Sequence, residues 1–417
     1  MNESVQALPL LVLLVGMAIA IAILIKSGLE RIGVPALVGY LVLGFVLRLI
    51  DNQWQILSPE GAEVFEFLAQ LGIIALLFRV GLESDLAGLM RQLSRASIIL
   101  AGDVLLSGGL AFVVSYWWLQ LGLISSLFVS TAMTATSVGV AVGVWHEEEA
   151  TDSPNGQLLL DVAEMDDISG VILMALLFAI APTLKNSVDA SILPILAKTA
   201  GSFLIKSILF ATFCYVFSRN FEAAVTGFIR RIEKPPDPML TVASIGFIIA
   251  AIAGLLGFSV AIGAFFAGLV FSRDPEAVKL DTSFTTLYEF FVPFFFIGIG
   301  LQIEPHALTT AFGLGGALLI VALLGKIIGA GVPAIFMTGW VGGILLGVSL
   351  VPRAEITLII MQRGLSLGNW AISPQVFAAM VAVCAVTSIV TPLILHRMLE
   401  QWPQTQPEES SSSANQV

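Results

Sequence analysis

The chain has 417 residues, of which 57% are hydrophobic and only 12% charged, with a mean hydropathy of +0.96. A soluble core needs far fewer apolar residues, so the composition is that of a polytopic helical membrane protein, whose first partner is the lipid bilayer. A net charge of −11 argues against nucleic acid as a partner, and the two widely separated cysteines, Cys214 and Cys384, supply neither a disulfide framework nor a metal site.

Thirteen apolar segments follow one another, at about 8–26, 34–50, 64–82, 96–119, 122–145, 157–182, 190–218, 238–256, 258–273, 283–303, 308–338, 340–362 and 374–398. The N-terminal MNESVQALPL has no basic region before its first apolar run, and that run is of spanning length, so a retained helix is expected and not a cleaved signal. With the N-terminus outside, Lys26, Arg31, Arg79, Arg91, Arg95, Arg219, Arg230, Arg231, Lys234, Arg273, Lys279 and Arg397 fall on the inner side, against Arg48, Lys185 and Arg363 outside. Positive charge on the inner side sets that orientation and makes the C-terminus cytoplasmic. The last stretch, 399–417, is polar and Ser-rich and is expected to be a disordered tail.

Six helices, one connector and six more place the second set upside down relative to the first, an inverted repeat. The fifth segment carries Thr134-Ala135-Thr136-Ser137-Val138-Gly139 in mid-span, and the twelfth carries Val351-Pro352-Arg353-Ala354-Glu355. Each reads as a broken helix, because Pro352 removes a backbone donor while hydroxyls and glycine re-satisfy freed backbone groups beside a cavity. The two breaks are expected to cross, with Arg353 and Glu355 each neutralising a facing half-helix end.

The sixth segment holds Asp161, Glu164, Asp166 and Asp167. Counted from Gln157 at ~1.5 Å per residue, the Asp166-Asp167 pair lies about 15 Å in, near the bilayer midplane. An Asp at that depth costs about 2.5 to 3.5 kcal/mol, so two in succession call for a cavity, a cation or a proton. The pair is read as a cation or proton site, with Asp161 and Glu164 forming an acidic cytoplasmic funnel toward it. Lys326 lies deep in the eleventh segment and needs a carboxylate; Asp166 or Asp167 is the expected partner, with Glu355 as competitor.

Asp103 and Glu289 stand within a turn or two of a span end, where a solvated or structural role serves as well as an ion path. Lys198 and Lys206 in the seventh segment either snorkel or line a moving interface. His146 precedes Glu147, Glu148 and Glu149 in an inner loop, read as a solvated loop or as a pH-sensing, cation-gathering element.

The order and spacing of FRVGLE (78–83), ATSVG (135–139), DDISG (166–170), VAIGAFFAG (260–268), PFFFIGIGL (293–301), GKIIG (325–329) and PRAE (352–355) resemble the monovalent cation:proton antiporter-2 family, most closely its NapA-type sodium/proton antiporters. The resemblance implies that Asp167 coordinates the ion, that Asp166 pairs with Lys326, and that Thr136 and Ser137 lie beside the site. It also implies a homodimer. A dimer domain would comprise residues 1–95 and 238–305, a mobile core 96–182 and 306–398, and a linker 183–237, with the core moving as an elevator. Ala354 stands where the family pattern PRGE has Gly, and Asp161 and Glu164 add acids where small or apolar residues are common.

Burial favours the neutral carboxylate and a nearby lysine the charged one, so one site can hold protons or a desolvated cation but not both. Obligatory exchange of Na⁺ or Li⁺ for H⁺ follows, with hard oxygen ligands from Asp167, Asp166, Thr136 or Ser137 and water, and no cofactor. If a bound cation draws Asp166 from Lys326, the lysine could release a second proton, making exchange electrogenic. A potassium/proton antiporter is the alternative; a channel fits less well because an internal lysine suits exchange better than a pore. An intramembrane aspartyl protease would need two Asp on facing helices, and no second helix presents one in mid-span. No enzyme chemistry is expected. The expected location is the inner membrane of a bacterium, or the thylakoid membrane in a cyanobacterium.

Overall fold

The computed structural model describes residues 3–83, 86–186, 192–221, 224, 238–272 and 281–404. Inner-side residues Arg230, Arg231, Lys234, Arg273 and Lys279, and tail residues 405–417, lie outside the described residues. The thirteen apolar segments are mainly helical where described, as lipid demands of backbone whose N–H and C=O need internal partners, with interruptions inside the fifth and twelfth. Eleven helices are long and apolar enough to cross a membrane, and two shorter apolar ones cover Val242–Leu255 and Val260–Phe271.

In chain order the helices are α1 (Glu3–Glu30), α2 (Ala36–Trp54), α3 (Pro59–Glu83), α4 (Leu86–Val113, closed by a π-helical turn over Val114–Trp118), α5 (Leu123–Thr134), α6 (Val138–Glu147), α7 (Pro154–Asn186) and α8 (Ile192–Asn220). They continue with α9 (Pro238–Leu255), α10 (Val260–Phe271), α11 (Asp281–Leu301), α12 (Pro305–Thr310), α13 (Phe312–Gly329), α14 (Gly331–Ser349), α15 (Glu355–Leu367) and α16 (Pro374–Gln401). Proline opens α3, α7, α9, α12 and α16, where its missing N–H costs nothing. Ser259 and Ser373 cap α10 and α16 by accepting from the N–H of Ala261 and Val376.

Several helices run longer than their apolar segments, and two of these boundaries matter most. The fourth segment begins at Leu86 and not at 96, because a helix entering from the polar boundary tolerates Arg91 and Arg95 in its first turns. The last helix runs through Gln401 before any tail begins. Elsewhere the apolar runs mark the true turning points. Helix α13 continues through Ala330, whose N–H donates to Lys326 O at 3.0 Å and whose carbonyl accepts from Ala334 at 3.1 Å. The chain then breaks at Gly339, whose φ of 76° favours glycine, so that residues 340–349 start a new segment.

The helices pack in two groups. In one, α3 lies against α10 and α11, α2 against α1 and α11, and α9 against α10. In the other, α4 lies against α5, α7 and α13, while α15 lies against α5 and α16. Helix α8 touches α7 of one group and α10 of the other. Between α3 and α10, Gly81 and Gly268 bring backbones into contact: a side chain at Gly268 would lie 2.7 Å from Leu82 N and 2.8 Å from Gly81 Cα. Packing through small residues is how helices associate where lipid removes the hydrophobic drive.

Gly268→Val should therefore cost about 1–3 kcal/mol of overpacking and lower the melting temperature of the detergent-purified protein. Gly109→Ala, which meets nothing within 4 Å, should leave the melting temperature unchanged; equal effects of the two substitutions would contradict this packing.

Candidate functional site

The site is built where two interrupted helices cross. Helix α5 stops at Thr134, Ala135 is extended, and α6 resumes at Val138. Helix α14 stops at Ser349 and α15 resumes at Glu355. The two interruptions hold each other, with Ser137 N–H donating to Pro352 O at 2.8 Å. The last turn of α5 has carbonyls that no helical N–H can reach. Thr357 Oγ1 donates to Ala132 O at 2.8 Å, Thr134 Oγ1 to Thr131 O at 2.8 Å, Lys326 Nζ to Thr134 O at 2.6 Å and Arg353 Nη1 to Ala135 O at 2.5 Å. Two cations thus sit at the negative end of a half-helix, as its dipole favours. Helix α16 fixes the second interruption: Thr387 Oγ1 accepts from Arg353 N–H at 3.2 Å, and Ser388 Oγ donates to Arg353 O at 3.2 Å.

Helix α7 runs beside this crossing. Gly170, one turn beyond the acidic pair, faces both interruptions: a Cβ there would lie 3.4 Å from Ile356 and 3.5 Å from Ala135. Asp166 is fully buried, while Asp167 retains partial exposure. Asp167 stands within electrostatic range of Asp166, Glu355, Glu83 and Glu164. Ser137 lies beside the Glu355 carboxylate. Among the described residues, both carboxylate oxygens of Asp166 and the hydroxyl of Thr136 are buried without a hydrogen-bond partner. Such atoms are costly unless water, a proton or a cation meets them. No convergent group of three His, Cys, Asp or Glu side chains suited to a tightly held metal occurs among the described residues.

Glu355, in the first turn of α15, also lines a cavity of about 260 Å³ with Lys26, Tyr40, Arg79, Tyr288 and Glu289. Lys26 and Glu289 pair across it at 2.5 Å, and Arg79 lies 4.6 Å from the Tyr288 ring centroid. A second cavity, about 450 Å³, is lined by Glu66, Gln70, Phe178, Phe203, Gln362 and Arg363. Helix α15 therefore reaches both cavities. Asp161 and Glu164 are partly exposed on α7, upstream of Asp167 at three-residue steps that keep them along one face.

The expected pairing of Lys326 with Asp166 is present, but it is not the lysine's nearest one. Lys326, fully buried, has its closest carboxylate in Asp103 of α4, to which Nζ donates directly. Asp166 Oδ2 stands farther off, at 3.7 Å. The sequence reading set Asp103 near a span end because it began the helix at the first purely apolar residue; with α4 starting at Leu86 the same residue falls in mid-helix and is fully buried. A signal was present in Arg91 and Arg95, one turn apart, which mark a polar boundary helix turn and not a loop. Asp103 is also the mid-span Asp on a second helix whose absence was counted against an aspartyl protease. A protease dyad shares a proton between facing carboxylates, whereas Asp103 is engaged by Lys326 and by Ser107 at 3.0 Å. The support from Thr357, Thr387 and Ser388 was also missed, because isolated Thr and Ser in apolar helices carry no pattern of their own.

In the acidic loop after α6, Glu148 meets His396 of α16 at 2.8 Å, a contact that sequence separation conceals. Lys198 and Lys206 are exposed on α8.

A helical membrane bundle with two crossed interrupted helices, a buried lysine and unpartnered buried carboxylate oxygens is the framework of a secondary transporter. The sequence profile described as "Sodium/hydrogen exchanger, transmembrane" matches residues 16–401, and the chain belongs to that family of membrane antiporters. It is 27% identical over 359 residues to the "High-affinity Na(+)/H(+) antiporter NhaS3" of Synechocystis sp., covering 82% of this chain and 75% of that one. It is 28% identical over 371 residues to the "Na(+)/H(+)-K(+) antiporter GerN" of Bacillus cereus, covering 88% and 90%. The solved sodium proton antiporter MjNhaP1 of Methanocaldococcus jannaschii superposes with a TM-score of 0.65 at 16% identity, covering 95% of this chain and 98% of that one, and so shares the fold.

Arg353→Gln should leave the buried Ala135 carbonyl short of its partner, at about 1–3 kcal/mol. Melting of the purified protein should fall more for Arg353→Gln than for Arg353→Lys, which keeps the charge; the reverse order would contradict the assignment of Arg353 to the end of α5.

Proposed function

We propose that this protein exchanges Na⁺ or Li⁺ for protons, with both competing for the Asp166-Asp167 site. The observation that carries this reading is the buried, unpartnered oxygen set of Asp166 and Thr136 beside the partly exposed Asp167. Hard oxygens in a dehydrated pocket suit a small monovalent cation, and the same carboxylates suit protons when the cation is gone. Glu83, Glu164 and Glu355 raise the local cation concentration on the approach to Asp167, with Asp161 at the entrance. The printed name of the Bacillus cereus relative includes K⁺, so potassium is the second reading for the cargo.

Access alternates in this proposal by an elevator movement of α4–α7 and α13–α16 against α1–α3 and α9–α11. Two cavities along that interface support it, because on α15 only the turn from Glu355 to Ile359 separates them, a span of about 6 Å. On α3 the corresponding partition is Leu76 and Leu77, both buried. A homodimer through α1–α3 and α9–α11 rests on family resemblance.

The exchange is further proposed to be electrogenic. Asp103 gives Lys326 a carboxylate that remains when a cation occupies Asp166, which removes the reason for the lysine to yield the second proton. Asp166 and Asp167 together account for about two protons per cation if both are neutral when empty and ionised when loaded. In proteoliposomes, wild-type Na⁺/H⁺ exchange should respond to an imposed K⁺/valinomycin potential, with about 2.3 kcal/mol per 100 mV for one net charge moved. Asp167→Asn should reduce Na⁺-driven proton flux at least 100-fold. Unimpaired flux in Asp167→Asn would remove that residue from the site, and voltage-independent wild-type exchange would reject the two-proton count.

The N-terminal side of α1 is proposed to face outward, since with consecutive spans alternating in direction Lys26, Arg31, Arg79, Arg219 and Arg397 fall on one side and Arg48, Lys185 and Arg363 on the other. In a background lacking Cys214 and Cys384, exposed Glu147 and Glu304, each changed to Cys, should label from inside and outside respectively in oriented vesicles. Labelling of both from one side would overturn the topology.

A further inference from the structure

We propose that Asp103 is a third carboxylate of the transport centre, the resident counter-ion of Lys326, which holds the ammonium in place and leaves Asp166 available to the cargo. The inference deepens the antiport reading and rests on it for its functional consequence, though the pairing itself is a matter of geometry.

Three observations carry it. Lys326 has three N–H donors, and two are committed: one to Asp103 Oδ2 and one to Thr134 O at 2.6 Å. Asp166, at 3.7 Å, is within ion-pair range but makes no hydrogen bond to the lysine. The Asp103 carboxylate is itself oriented, because its other oxygen accepts from Ser107 Oγ at 3.0 Å. A carboxylate gripped at both oxygens by residues on two helices is a fixed element, whereas one with two bare oxygens is free to take a ligand.

The glycines around the lysine serve the same pairing. A Cβ on Gly325 would lie 3.0 Å from Ser107 Cα, and one on Gly329 would lie 3.1 Å from Asp103 Cα. From the other side, a Cβ on Gly102 would lie 2.6 Å from Gly329 O. The segment GKIIG thus has glycine on both flanks of Lys326 so that α13 can press against α4 at Asp103, which holds the lysine, and at Ser107, which orients Asp103. Nothing in the contact of Lys326 with α7 requires those glycines.

The division of labour has a kinetic meaning. With Asp103 present, the lysine occupies one face of the centre as half of a neutral, fully buried pair, and Asp166 meets the cation at low competition. Without Asp103 the lysine has one remaining carboxylate within reach, Asp166, and must contend with the cation for it. Asp103 is a positioning residue: it acts on the cargo through Lys326 and Asp166.

The experiment uses the purified full-length protein and the variants Asp103→Asn, Asp103→Glu, Lys326→Gln, Asp103→Asn/Lys326→Gln and Asp166→Asn/Lys326→Gln. Melting temperature in detergent tests the pairing independently of transport. Lys326→Gln strands a buried carboxylate and should melt several degrees lower, on the order of 5 °C. Adding Asp103→Asn should recover most of that shift, and adding Asp166→Asn should recover little. Recovery by Asp166→Asn in place of Asp103→Asn, or by neither, would overturn the proposal. In proteoliposomes, Asp103→Asn should raise the apparent KM for Na⁺ about tenfold, with Asp103→Glu returning it toward wild type, and should move the pH profile of exchange. A scaffold role alone would lower the amount of active protein and leave KM and pH profile unchanged, and that result would also overturn it. If wild type showed no cation-coupled proton flux at all, the antiport reading would fail while the melting comparison still decided the Asp103 pairing.

Discussion

The carbonyl end of α5 is the constraint on which this architecture depends. A helix that stops halfway through a bilayer leaves backbone acceptors in a medium without water, and each one left bare costs several kcal/mol. Here Thr131, Ala132, Thr134 and Ala135 all receive donors, from Thr134 itself, Thr357, Lys326 and Arg353. Those donors come from α13, the α14–α15 interruption and α15. Satisfying one broken helix therefore fixes the relative positions of three other segments. The same requirement explains why both interruptions occur together, since Pro352 O of one receives the Ser137 N–H of the other.

Charge placement follows from this scaffold. Lys326 and Arg353 neutralise the half-helix end, and their two positive charges must in turn be balanced in the same dry volume. Asp103 and Asp166 do so, both fully buried and both within electrostatic range of Arg353. Buried charges of opposite sign cost less per charge than an isolated one, so Lys326 and Arg353 need carboxylates nearby. Asp167 stands outside this balanced set, more exposed and surrounded by like charge from Glu83, Glu164 and Glu355. A carboxylate so placed gains most from a mobile cation or proton, which distinguishes it from Asp103, whose oxygens Lys326 and Ser107 already engage.

Much of this could be read from the sequence, and the limits have physical causes. Hydropathy located the thirteen segments because lipid enforces helix wherever the run is long enough, and Gly339 fell at the gap between two of them. The two interruptions were legible because Thr136-Ser137 and Pro352-Arg353 place polar or donor-free groups where a continuous helix would not tolerate them. Arg353 was assigned to a half-helix end, where it is found on Ala135 O. What sequence could not supply was the choice among buried carboxylates for Lys326. Apolarity defines the part of a helix in oil, not its start, so Asp103 was displaced toward an imagined end of α4. Pairings such as Glu148 with His396 depend on which helices become neighbours, and no local periodicity encodes that.

The hydrogen bonds and ion pairs that join the crossing to α4, α13 and α16 bear on how access to the site could change. Lys326 ties α13 to both α4 and α5, and Thr387 and Ser388 tie α16 to Arg353. Opening the site by separating these helices from one another would strand several buried charges and carbonyls at once. Between the two groups of helices lie the two cavities, one reached by Arg79 of α3 and Glu355 of α15 and the other by Ile73 of α3 and Ile359 of α15, and the α3 residues Leu76 and Leu77 between those levels are buried and apolar. Displacing the group as a whole keeps the hydrogen bonds at the crossing intact, whereas bending within the group does not. The proposed elevator movement rests on this asymmetry, with the crossing displaced as a unit and its buried hydrogen bonds kept.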